Sequence, residues 1–284
     1  MLAVLPMFLF CREPQGEIAM DSVQAARWTK IKQQVENPRV IPAVPPGFPT
    51  YPTAEKYRLT KLGVELGRWL FYDTALSSDD KIACASCHQP QLSFSDNAAL
   101  SMGVRGQKSE RHSMPLVNLA WEQKFFWDGR ADDLEAAVLM PVENSREMDM
   151  NREQMTAKLK KYDFYRKFFK RVYGTAEFES KHVANALAQF LRSLVSRRSG
   201  IDRIRSVQLG GMPLSDLPAD LRGLATGKLS GEVNTIQHAC AACHESARFG
   251  AARFENIGLK TTVGETKSKK FKVPSLYNIS YTAP

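Results

Sequence analysis

The sequence predicts a mainly α fold in two units, and three observations carry that expectation. No alternation of apolar and polar residues runs long enough for more than a very short strand. Several stretches instead repeat apolar residues at helical spacing. The pentapeptide Cys-x-x-Cys-His occurs twice, at 84–88 and at 240–244, once in each part of the chain.

The helical stretches follow in chain order. Leu59, Leu62, Leu66 and Leu70 fall on one side of a helix that leads through Tyr72 and Asp73 to the first pentapeptide. Residues 89–126 are rich in Ser, Gly, Asn and Pro and predict long loops with short helical turns. Asn151, with Gln154 three residues on, carries a capping-box signature and opens a helix expected to reach about Gly174. Val183, Leu187, Phe190, Leu191 and Leu194 share one face of another helix, expected to stop near Gly200. Six prolines within 37–53 predict an extended arm that wraps a surface, because proline breaks both ladders and helices. Residues 198–220, with their Gly, Pro and Arg, read as a linker. The expected segments are therefore an N-terminal arm or truncated export signal over 1–23, a Pro-rich extended arm over 24–49, a first unit over 50–200 and a second over 201–284.

Composition bounds the function. The 284 residues are 43% hydrophobic and 24% charged, enough to bury a core. The net charge of +9 raises nucleic acid as a ligand, but the basic residues are scattered and no nucleic-acid motif is present. The surplus reads as a surface feature suited to an acidic protein partner. Residues 1–10 form an apolar run that ends at Cys11 and is too short to span a bilayer. It has the length of a signal-peptide core without a preceding basic residue. Three readings stay open: an export signal truncated at its start, a lipidated Cys11 despite the large Phe10 before it, or a buried apolar arm. The last residues, Tyr281 to Pro284, supply no closing helix or polar tail, so the chain reads as a fragment.

Four of the five cysteines lie in the two pentapeptides, which leaves Cys11. An odd count and a fixed following histidine argue against a disulfide framework. Zinc would need a second ligand pair near each site, and none is supplied locally. A thioredoxin-like motif needs a βαβ context, which is missing. Covalent haem explains the pattern. Two thiols, Cys84 with Cys87 and Cys240 with Cys243, add to the vinyl groups of one haem each, and His88 and His244 bind the irons. Two haem c groups are therefore expected. A filled sixth position on an iron suits electron transfer, whereas an open one permits peroxide chemistry. Of the remaining histidines, His182 begins a helix and His238 lies too close to Cys240 to reach the far face. His112 is the one histidine placed to reach the distal side of the first haem, against the plainer reading of a structural loop residue.

Longer runs carry a resemblance. Leu66-Gly-Arg-Trp-Leu-Phe-Tyr-Asp-Thr-Ala-Leu-Ser77 leads into the first pentapeptide. Arg111-His-Ser-Met-Pro-Leu-Val-Asn118, Phe125-Phe-Trp-Asp-Gly-Arg-Ala131, Pro141-Val-Glu-Asn144 and Glu147-Met148 follow, and Phe271-Lys-Val-Pro-Ser-Leu-Tyr-Asn278 comes near the end. Over roughly 50–284 the chain resembles the bacterial diheme cytochrome c peroxidases, including the MauG-like diheme oxidases. The resemblance implies two cytochrome-c-like domains, each built around one covalently attached haem c. The N-terminal haem would reduce hydrogen peroxide and the C-terminal one would take electrons from a small c-type cytochrome or cupredoxin, in the periplasm. It implies that Trp127 lies between the haems as an electron route. It implies that Glu147 is the distal acid that moves a proton during O–O cleavage. It also implies that the carbonyls of Thr282 and Pro284 help hold a calcium ion, and it leaves a homodimer open. Alternatives are a MauG-like oxidase of a protein substrate and a non-catalytic diheme electron carrier.

The departures from the family pattern are specific. A distal histidine expected sixteen positions after His88 is Val104, so the first haem is expected to rest open. A distal glutamine is replaced by Ala137, and the calcium asparagine by His112. The arginine of the last motif is Tyr277. The sixth ligand of the second haem would lie beyond Pro284.

Overall fold

The computed structural model describes residues 18–33, 37–52, 54–197, 199–226, 243–244, 254–255, 270–276, 278 and 282. Helices dominate them. In chain order these are α1 (Ser22–Gln33), α2 (Lys61–Tyr72), the single turn α3 (Cys84–Cys87), α4 (Leu134–Glu143), α5 (Arg152–Lys160), α6 (Asp163–Tyr173), α7 (Ser180–Ser193), α8 (Gly200–Gln208) and α9 (Ala219–Ala225). The strands described are β1 (Phe254–Glu255) and β2 (Phe271–Lys272), paired antiparallel with Phe254 opposite Lys272. Among the described residues no helix is long and apolar enough to cross a membrane.

The helix α2 starts where Thr60 accepts a hydrogen bond from the Gly63 N–H at 3.1 Å. Such a cap contributes about 1 kcal/mol. Leu62, Leu66 and Leu70 are then buried along one face, each worth roughly 1.5–3 kcal/mol on removal from water. That face packs on α7, whose Val183, Leu187, Phe190 and Leu191 are buried as well. The two helices touch at Gly67, where an added Cβ would lie 1.9 Å from the Ala186 carbonyl oxygen. Buried Gln189 of α7 also meets this face and accepts the Thr60 N–H at 2.9 Å. Four aromatic residues of α6, Phe164, Tyr165, Phe168 and Phe169, fill the core beneath α2. Arg192 of α7 makes a two-pronged ion pair with Glu135 of α4, at 2.6 and 2.7 Å, and so fixes α4 beside α7.

The chain departs from the sequence expectation in four places, the first being that α7 ends at Ser193, with Leu194 as its cap, and not near Gly200. Residues 22–33 form α1 within the stretch read as an extended arm over 24–49; Trp28 packs edge-on to Phe168, and Arg27 bonds Glu65 of α2 at 2.8 Å. That tertiary contact, not a clean apolar stripe, makes the segment helical. The helix opened by Asn151 does not run unbroken to Gly174. The Asn151 capping box forms as expected, but α5 ends at Lys160, Tyr162 adopts extended backbone, and α6 then runs to a left-handed Gly174. The break lets Ile18 pair with Lys161 and Asp163 across the gap. Residues 198–220, read as a linker, include α8 and the start of α9; Ser199 caps α8 by bonding the Asp202 N–H at 3.2 Å.

Candidate functional site

The first pentapeptide begins as helix because the Ser86 hydroxyl accepts the Ala83 N–H at 3.0 Å and the His88 N–H closes the turn on the Cys84 carbonyl at 3.0 Å. The following loop bends back on itself. Ser93 and Phe94 both take left-handed backbone, with φ of 55° and 59°. That conformation is uncommon outside glycine. It delivers the Phe94 carbonyl to 2.8 Å from His88 Nδ1. A carbonyl can only accept, so Nδ1 carries the proton and Nε2 keeps its lone pair. Burial also pushes the His88 pKa below its ordinary value, against the raising effect of the Phe94 and Met114 backbone. The imidazole is thus neutral, which is the form that binds a metal.

His88 lines a cavity of about 630 Å³, within the range of cofactor pockets. Phe71 of α2, Leu187 and Leu191 of α7, and Leu134 and Ala137 of α4 give it an apolar wall. Cys84 and Cys87 open onto it and form no disulfide. Burial pushes the Cys84 thiol up to about 12 and the Cys87 thiol to about 11, so both stay protonated. Trp127 and Glu147 line the same cavity. The fold therefore gathers all five first-unit candidates, Cys84, Cys87, His88, Trp127 and Glu147, around one space.

Glu147 sits in a tight turn after α4. The Asn144 carbonyl accepts the N–H groups of Glu147, Met148 and Asp149 at 2.9–3.1 Å, and the Asn144 amide donates to Glu147 Oε1 at 2.9 Å. Burial raises the Glu147 pKa; Arg130 opposes that shift and Glu110 reinforces it. Trp127 is fixed from two sides. Its indole N–H donates to the His112 carbonyl at 2.9 Å, and its own carbonyl accepts the Lys272 N–H at 2.7 Å. Val104 is fully buried and its N–H donates to the Glu147 carbonyl at 2.9 Å. His112 spends both ring nitrogens on the protein, Nε2 on the Ser95 hydroxyl and Nδ1 on the Ala98 carbonyl, each at 3.0 Å. His182 likewise acts as a cap, accepting the Glu179 N–H at 3.0 Å.

The cavity suits haem. Two thiols and a neutral imidazole stand on its wall, and Arg111 lines it with a buried Nη1 that has no aligned hydrogen-bond acceptor. The nearest anion, Asp128 Oδ2, lies 2.9 Å from that nitrogen, so the two form a charge contact rather than an aligned bond. The di-haem cytochrome c peroxidase family matches residues 61–208, slightly more than half of the chain. The chain belongs to that family. It is 38% identical over 227 residues to the methylamine utilization protein MauG of Methylorubrum extorquens, covering 78% of this chain and 60% of that protein. It is 29% identical over 234 residues to the cytochrome c551 peroxidase of Nitrosomonas europaea, covering 78% of this chain and 66% of that one. The chain thus spans about three fifths to two thirds of the length of these relatives. Among solved structures it is similar in fold to a MauG-like protein associated with microbial copper homeostasis. That likeness has a TM-score of 0.66 at 22% identity, over 85% of this chain and 76% of the other. These diheme relatives support the mainly helical fold with two cytochrome-c-like domains.

The second attachment site is only partly described. Cys243 and His244 are half-buried in a helical turn, while Cys240 lies outside the described residues, as do His238, Tyr277, Cys11 and Pro284. Thr282 is described; among the described residues no group of three or more His, Cys, Asp or Glu side chains could hold a metal ion. Sequence reasoning missed Arg111, Asn144 and Lys272 as wall residues. All three stand inside the quoted motifs, so the signal was present without a reason to separate them from their neighbours.

Proposed function

We propose that the chain is the haem-bearing body of a diheme peroxidase, which reduces hydrogen peroxide to water with electrons from a small c-type cytochrome or cupredoxin in the periplasm. The observation that supports this most is the single cavity lined by Cys84, Cys87, His88, Trp127 and Glu147. Haem c bound there supplies the iron at which peroxide gains two electrons. Cys84 and Cys87 would hold it by thioether bonds, His88 by its Nε2, and Arg111 by a propionate. Cys240, Cys243 and His244 would hold the second haem. Glu147, with its raised pKa and one oxygen fixed by Asn144, can take the proton from the inner oxygen of peroxide and pass it to the outer oxygen, which leaves as water. Trp127, gripped at both ends, offers a fixed aromatic path for electrons.

A MauG-like oxidase of a protein substrate is a second reading, favoured by the 38% identity to the MauG of M. extorquens. One assay separates the readings. Haem-loaded full-length protein is given peroxide and a reduced small cytochrome c. Donor oxidation in step with peroxide consumption is expected. Peroxide consumption without donor oxidation, but with oxidation of a protein substrate, selects the second reading. No peroxide turnover with both haems loaded leaves an electron carrier and rejects both.

A further inference from the structure

We propose that the buried Lys272–Glu122 ion pair is a positioning device for Trp127, setting the place of the indole from the far end of the chain. The inference rests on the electron-carrying role assigned to Trp127 above.

Lysine is almost never fully buried unless it is paired. Lys272 is 5% exposed, and its Nζ lies 2.8 Å from Glu122 Oε2. Replacing such a pair by well-packed apolar side chains generally costs no stability, so packing alone does not call for it. What an ion pair adds is one defined register between the two segments that carry it. Here those segments are β2 and the stretch that ends the short turn Leu119–Trp121. The consequence falls on Trp127, because the main-chain N–H of the same Lys272 donates to the Trp127 carbonyl at 2.7 Å.

The rest of the hairpin grips the same turn. Phe254 of β1 lies against Gly129, where an added Cβ would come within 2.2 Å of the ring; Gly129 also takes a left-handed φ of 66°. Arg111 stands over the Phe271 ring at 5.5 Å and reaches Asp128 at 2.9 Å. The hairpin follows the second attachment site in the chain, while the turn belongs to the first unit. Lys272 also lines the cavity that holds His88 and Trp127. The ion pair is thus the charged pin of a junction that carries Trp127, and Lys272 is a positioning residue rather than one that touches the reacting atoms.

The test uses the full-length protein with both haems. The double variant Glu122→Gln/Lys272→Met removes the pair without stranding a buried charge. Two quantities are read: hydrogen–deuterium exchange over 125–131, and the rate of electron transfer between the haems in a single turnover. Faster exchange is expected, with transfer slowed on the order of tenfold or more, since a misplacement of about 1 Å can cost as much as ~10²-fold. Haem content and spectra should stay as in wild type. Trp127→Phe is run beside it. If Trp127→Phe slows transfer and the double variant does not, the positioning role is wrong and the electron route stands. If neither slows it, the electron route fails and the positioning role with it. Should the double variant lose haem, Glu122→Gln alone, which weakens the pair to a hydrogen bond, is read in the same way: an unchanged rate overturns the proposal.

Discussion

At the scale of single residues, Glu147 and His112 illustrate how a neighbour decides what a side chain can do. Both stand in the loops around one cavity, yet one keeps a free carboxyl oxygen and the other keeps nothing free. For Glu147 the folded pKa is raised, chiefly by burial. At low pH the carboxyl is protonated in both the folded and the unfolded chain. As pH rises past the ordinary carboxylate value, the unfolded chain loses the proton first, so stability falls with pH until the raised folded value is passed. Glu147→Gln removes that loss. The variant should match wild type in thermal midpoint at acid pH and exceed it increasingly towards neutrality, as followed by calorimetry of the haem-loaded proteins. Its peroxide turnover should drop on the order of 10²-fold, because the proton carrier is gone. Wild-type turnover with full haem content would make Glu147 a bystander. His112 gives the opposite expectation. With both ring nitrogens of His112 engaged, and Val104 at the place of the missing histidine, neither position offers a cap for the first haem. Paramagnetic resonance of the oxidised, haem-loaded protein should show a high-spin signal from one haem, unchanged in His112→Ala. Two low-spin signals, one of which turns high-spin in His112→Ala, would make His112 the sixth ligand.

At the scale of elements, the contact of α2 with α7 supports the cavity. Phe71 of α2 and Leu187 and Leu191 of α7 belong to the apolar wall, so the distance between the helices sets its width. Gly67 is what permits that distance, because the Ala186 carbonyl occupies the space of a Cβ. Gly67→Ala usually helps a helix by about 1 kcal/mol. Here the methyl group meets rigid backbone, and overpacking of this kind costs about 1–3 kcal/mol or more. A lowered thermal midpoint and reduced haem loading are expected. A raised midpoint would show that the helices separate freely. The leucine stripe of α2 was legible in the sequence because a helix repeats its face every few residues. The tightness of the contact was not, since it depends on α7, which lies more than a hundred residues further along the chain.

At the scale of the whole molecule, haem and fold depend on each other. A cavity of about 630 Å³ bounded by Phe71, Leu134 and Leu191 leaves an apolar surface that a bound haem would cover. Cys84→Ala with Cys87→Ala should leave one covalently held haem per chain after denaturation, where wild type keeps two. It should also lower the thermal midpoint by more than either cysteine change would outside a haem site. Two haems retained after acid-acetone extraction of the double variant would place the first attachment elsewhere.

What the sequence determined by itself is local. Two thiols and a histidine within five residues can grip one haem whatever surrounds them, so the expectation for Cys84, Cys87, His88 and their counterparts in 240–244 rests on spacing alone. The Asn151 cap and the faces of α2 and α7 were readable for the same reason, since capping and helical periodicity act over a few residues. Only the tertiary structure decided the rest. It made α1 a helix through Trp28 and Arg27, broke the chain between α5 and α6, and turned both nitrogens of His112 away from catalysis. It also brought Trp127 under Lys272 and Glu147 into the cavity of His88, although these residues lie far apart in the chain. Those outcomes depend on which distant surfaces pack together, and burial, charge pairing and the exclusion of water exist only once they have packed.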